Sequence, residues 1–233
     1  MAGQVAEGEP EVQSWRPGWP ELTAGLAVTA IVGFGLGSQI QRLGLGAMAY
    51  GLVLAAWSGL ACLAGFAGAW LIRKAPLASF GVQATSRRWL LIGFGAGVAT
   101  FAAKGVVVLG FTALTGIGDS PQGVYAAGGS GGALSLVTAT FLIGIIVPIG
   151  EELLFRGVVT TVLLRYGAVV GVVGGALLFA LLHGISIVFP VAVLQGLVAG
   201  ELYRRSGSLW PPIVVHMMCN LPTVPVLVLT AAS

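Results

Sequence analysis

An all-α fold, a polytopic membrane helical bundle of about seven transmembrane helices, is what the sequence predicts, on three observations. Of 233 residues, 57% are hydrophobic and only 8% are charged, with a mean hydropathy of +0.98. A water-soluble domain with an ordinary charged surface does not reach that balance. Apolar runs of about 20 residues, the length that crosses a bilayer, recur along almost the whole chain. Most of the few charged residues sit at the ends of these runs.

The runs begin near Leu22, Gly44, Trp89, Ala133, Gly167, Ser186 and Leu209, and each predicts one helix. Their many glycines would weaken soluble helices, but spanning helices tolerate them and pack closely through them. Residues 1–21 read as a polar cytoplasmic tail, with Trp15 and Trp19 suited to an interface. The tail carries Glu7, Glu9 and Glu11 and has no basic start or short apolar core, which argues against a cleaved signal peptide. Residues 22–132 hold three generic helices and an outer loop, and residues 133–233 hold four helices that carry the chemistry.

Between the second and third helices lie Arg73, Lys74, Arg87 and Arg88, the densest basic cluster. The positive-inside rule puts that loop, and with it the amino terminus, in the cytoplasm. Alternation then sends Gly116 to Gly132 outside and brings Arg165, Arg204 and Arg205 inside; only Arg42 disagrees. The net charge of +3 reads as a topology signal, so no nucleic-acid partner is expected. Cys62 and Cys219 lie far apart in apolar runs and form no disulfide framework or paired-cysteine metal motif.

An ionisable residue inside the bilayer costs about 2.5–3.5 kcal/mol at a helix centre on insertion scales, so each one asks for a reason. Glu151 and Glu152 follow the run from Ala133 to Gly150, and apolar character resumes before Arg156. Glu152 and Arg156 stand one turn apart on one face and can pair. Glu151 points about 100° away, unpaired and desolvated, as a general base requires. Pro148 and Gly150 are expected to loosen the helix and free carbonyls. The plainer alternative is that both glutamates merely mark a solvated helix end.

Histidine usage shifts the balance. The chain has two, His183 and His216, both in apolar segments. Phe179 lies one turn before His183 and can wall the imidazole; Asn220 lies one turn after His216 on the same face. Pro211 and Pro212 suit the first turn of the last helix, which sets His216 about one turn from the cytoplasmic side. A lone histidine there would be a packing residue. Two, with an embedded carboxylate near the cytoplasmic helix ends, form a candidate site.

These residues resemble the CPBP intramembrane proteases, which include CAAX-prenyl endopeptidases and Abi-type relatives. The family pattern appears in order as Glu151-Glu152-Leu-Leu-Phe-Arg156, Phe179-Ala-Leu-Leu-His183 and His216-Met-Met-Cys-Asn220, over roughly residues 133–222. The resemblance implies that Glu151, with His183, activates a water against a peptide carbonyl. It further implies that His216 and Asn220 stabilise the oxyanion, with Glu152, Arg156 and Phe179 as supports. No metal is required on this reading. The alternative, a zinc ion on Glu151, His183 and His216 in a metalloprotease, has the ligand number of a catalytic zinc site. It lacks the His-Glu-x-x-His helix.

The implied substrate is a membrane-associated or prenylated polypeptide, met in the bilayer, with cleavage at the cytoplasmic side. The Gly and Ala richness is compatible with a bacterial plasma membrane. Two other classes remain open: a non-catalytic immunity or scaffold protein binding a peptide in the same cavity, and a proton-coupled transporter, for which no internal repeat is seen. Gly128 to Gly132 formally matches Gly-x-Ser-x-Gly around Ser130, but no strand precedes it, and a flexible outer loop is expected. Lys104 is expected to reach for the outer interface. Cys219 is expected to be apolar filler, and Glu201 with Arg204 and Arg205 a solvated cluster.

Overall fold

The computed structural model describes residues 15–231, so Glu7, Glu9 and Glu11 lie outside the described residues. The chain is all-helical. Five helical stretches are long and apolar enough to cross a membrane: α1 (Trp19–Leu43), α2 (Ala47–Leu71), α3 (Arg87–Thr115), α5 (Ala133–Tyr166) and the stretch Trp210–Thr230. The last divides into α8 (Trp210–Asn220) and α9 (Thr223–Ala231). Two more helices complete seven crossings, α6 (Val170–Leu182), which is short, and α7 (Val188–Ser206). Each begins within about three residues of its expected start.

One end of the bundle collects Arg16, Arg73, Lys74, Arg87, Arg88, Arg165, Arg204 and Arg205, and the other has Arg42 alone. Arg156 and Lys104 lie between.

Two expectations change. The outer loop contains a helix, α4 (Gly123–Gly129), where a flexible linker was expected. Gly51 and Gly128 let α4 lie directly on α2: a Cβ on Gly51 would stand 2.7 Å from the Gly128 nitrogen. Ser130 donates to the Ala127 carbonyl and faces no histidine. Glu21, read with the tail, is in fact fully buried in the first turn of α1. Its carboxylate accepts the Gly18 N–H at 2.7 Å and pairs with Arg73 at 3.3 Å.

Small residues set the helix spacings, as expected where lipid supplies no hydrophobic drive between helices. A Cβ on Gly65 of α2 would collide with the Thr29 hydroxyl and lie 2.7 Å from the Gly25 carbonyl of α1. On α3, Gly93 and Gly97 receive α8, with a Cβ on Gly97 standing 2.6 Å from the Met218 Cβ and 2.8 Å from the Val215 carbonyl. The helices treated as generic in the sequence therefore fix where α8 sits. Gly97→Val is expected to destabilise the protein by about 1–3 kcal/mol, the cost of overpacking a close contact, read as a lower melting temperature in detergent.

The largest buried cluster, including Leu154, Phe155, Val158, Phe179 and Phe80, fills the bundle between its middle and the basic end.

Candidate active site

Local backbone defects build the site. Helix α5 contains π-helical turns at Leu142–Ile146 and Phe155–Thr160, and Glu151 lies between them. In the first, the Val147 N–H bonds to the Leu142 carbonyl, one residue further back than in an α-helix. The Ile143 carbonyl would then take its bond from residue 148, but Pro148 has no N–H. Asn220 fills the vacancy, donating from Nδ2 to Ile143 O at 3.3 Å. Pro148 thus frees a carbonyl as expected. Gly150 serves packing instead: a Cβ there would stand 2.7 Å from the Gly59 carbonyl of α2.

The structure brings together every residue singled out in the three motifs. Glu152 pairs with Arg156 at 2.9 Å, as the one-turn spacing required, and Arg156 also donates to the Gly196 carbonyl at 3.3 Å. Both side chains are fully buried. The same Glu152 oxygen lies 2.7 Å from Nδ1 of His216. A carboxylate neutralised by arginine can only accept, so His216 carries its proton on Nδ1. Its Nε2 faces Glu151 Oε2 at 3.5 Å.

His183 ends α6, where Gly184 turns the chain with φ of 70°, a conformation that favours glycine at a helix end. Its Nδ1 lies 3.0 Å from the Phe179 carbonyl, which again places the proton on Nδ1. Nε2 looks at Glu151 Oε1 from 4.0 Å. Phe179 touches both imidazoles edge-on, at 4.8 Å and 5.7 Å between ring centroids, and lies under the Arg156 guanidinium at 4.8 Å. One aromatic ring therefore spaces the whole constellation.

The Nε2 atoms of two imidazoles thus face one buried carboxylate, whose Oε2 has no hydrogen-bond partner. Such a cluster is satisfied only by a proton or a donor placed among its three members. These three are also the set proposed for zinc. Among the described residues, no group of three or more His, Cys, Asp or Glu side chains that could hold a metal ion is found.

The depth differs from expectation. Helix α5 continues to Tyr166, so Glu151 lies fifteen residues, about 22 Å, from the basic end of its own helix, whereas His216 beside it lies six residues from the start of α8. No helix-stop residue follows Arg156 before Gly167 except Gly157, and the π-turn at Phe155–Thr160 carries the helix past it. A cavity of about 370 Å³ rises from Glu151, His183 and Asn220, within the range of ligand pockets. It is walled by Phe34 of α1, Trp57 and Ser58 of α2 and Tyr125 of α4. Cys62 also lines it, a neighbour no motif signals.

Lys104 corrects another expectation. It turns inward to donate to the Cys219 carbonyl at 2.7 Å and the Thr223 hydroxyl at 3.2 Å, bracing the break between α8 and α9 beside Asn220. Carbonyls at a helix C-terminus favour a cation. Cys219 is fully buried, with its sulfur towards the Gly97 carbonyl of α3. Glu201 pairs with both Arg204 and Arg205 on the exposed end of α7.

An integral membrane bundle with a buried glutamate between two histidines, at the floor of a cavity lined by Glu151, His183 and Asn220, has the makings of an intramembrane hydrolase. Residues 133–222 match the family model described as Type II CAAX prenyl endopeptidase Rce1-like, a protease family, consistent with the CPBP resemblance of the three motifs. No curated protein and no solved structure matches the chain.

Proposed function

We propose that this protein is an intramembrane endopeptidase that hydrolyses a peptide bond of a membrane-associated polypeptide with a water activated by Glu151. The observation that carries this reading is the convergence of His183 Nε2 and His216 Nε2 on the two oxygens of one buried glutamate. Glu151 takes a proton from water as the oxygen attacks the peptide carbonyl carbon. His183 holds the water from the other side. The proton then passes to the leaving amine nitrogen as the C–N bond breaks, so the base of the first step is the acid of the second.

The tetrahedral oxyanion needs preorganised donors in a dry site. Asn220 has two N–H groups; Ile143 holds one, which fixes the amide plane and leaves the other for the cavity. His216, with Glu152 on Nδ1, becomes a second donor while its Nε2 shares the proton that Glu151 has taken from the water, before that proton passes to the leaving amine. The carboxylate beneath it stabilises that imidazolium, as a buried aspartate does in serine-protease triads. Asn220→Ala is expected to lower kcat by about 10²–10³-fold, the effect of losing one oxyanion donor. KM should change little, because the interaction is made in the transition state.

The test is cleavage of a panel of transmembrane and prenylated peptides by detergent-purified protein, with and without a metal chelator. Cleavage that survives the chelator is expected. Loss of cleavage with chelator, restored by zinc, would replace the mechanism with a metal-dependent one.

A further inference from the structure

The two ends of the bundle are unlike. Towards the basic end the site is sealed: Phe155, Phe179, Leu154 and Phe80, each no more than 1% exposed, pack beneath Glu151. Towards the other end it is open, since the cavity runs from Glu151 to a rim formed by Phe34, Pro121 and Gln122. Phe34 is 63% exposed, so the rim gives onto lipid as well as onto the surface. Eight of the chain's eleven Lys and Arg lie at the sealed end and one at the open end. In short loops this asymmetry sets orientation, with the basic end in the cytoplasm.

We infer that the cavity takes its substrate from the extracytoplasmic side, and that the substrate is a membrane-anchored polypeptide drawn down the cavity to Glu151. This rests on the peptidase reading above and narrows its substrate class. A lipidated carboxy-terminal cysteine held in the cytoplasmic leaflet would meet the sealed end, with the packed aromatic cluster between it and Glu151. A peptide entering past Phe34 meets apolar walls first and the polar floor last. That order suits an extended segment drawn out of a spanning helix, whose freed backbone groups need a wet, protein-lined space.

Two measurements test it on the full chain in whole membranes. Gln122→Cys is expected to react with a membrane-impermeant maleimide in intact spheroplasts, whereas Ala84→Cys, on the exposed basic loop, reacts only after permeabilisation. The two native thiols are buried, and the parent chain serves as the blank. The reverse pattern overturns the inference. In the second, a pool of membrane-impermeant quenched-fluorescence peptides is offered to right-side-out and inside-out vesicles. Cleavage is expected in right-side-out vesicles, with loss in Glu151→Gln. Cleavage in inside-out vesicles alone overturns the sidedness and leaves the peptidase standing. No cleavage in either preparation, or in detergent, removes the peptidase reading and the substrate class with it, while the labelling pattern still decides which way the cavity faces.

Discussion

Glu151→Gln protein is expected to fold and to lose peptide hydrolysis by about 10²–10⁴-fold, the share that a positioned general base supplies. Glutamine keeps the volume of the side chain, so the cavity floor and the contacts of Phe179 stay in place. Its amide can donate to either imidazole Nε2, so the variant leaves no new buried orphan. What it cannot do is take a proton from water. The measurement is kcat on a peptide cleaved by the parent protein, with melting temperature and gel-filtration profile as controls for folding. Undiminished turnover in a folded variant would remove Glu151 from the chemistry.

Arg156→Met is expected to cost about 3–5 kcal/mol of stability, the usual penalty for stranding one member of a buried ion pair. Glu152 has two cationic or polar neighbours on one oxygen, Arg156 and His216, while its other oxygen has no hydrogen-bond partner. Without the guanidinium, the carboxylate must either remain an uncompensated charge in the bundle or pick up a proton. In both cases it holds His216 less well. Glu152→Gln combined with Arg156→Met should recover much of the lost stability, because no unpaired charge remains. Thermal unfolding of the three variants in one detergent makes the comparison. A single Arg156→Met variant that melts with the parent would show that the Arg156–Glu152 pair does not contribute to the stability of the bundle.

Much of this arrangement was legible from local pattern. The helix starts follow from apolar run length, and the Glu152–Arg156 pair follows from the one-turn spacing. The relation of His216 to Asn220 follows in the same way. What was not legible depends on contacts between distant segments. Glu21 looks like a tail acid until Arg73, more than fifty residues away, closes on it. Lys104 looks like a snorkelling side chain until the α8 terminus offers it a carbonyl. The depth of Glu151 was misjudged because charged residues resemble a helix end. Burying Glu152 and Arg156 against each other let α5 continue instead. Gly93 and Gly97 carried a local signal, two small residues four apart on α3, which is a recognised packing spacing in membranes, but the spacing alone does not say which helix they receive.

The missing N–H of Pro148 has a consequence for how this chain can vary. Pro148 and Asn220 answer each other: the imino acid creates the demand for a donor, and the carboxamide three helices later in the sequence supplies it. A residue with an N–H at position 148 would return the Ile143 carbonyl to the helix and release the carboxamide to rotate. Substitutions at these two positions should therefore be non-additive, and the backbone of one helix acts as the lock on a side chain of another.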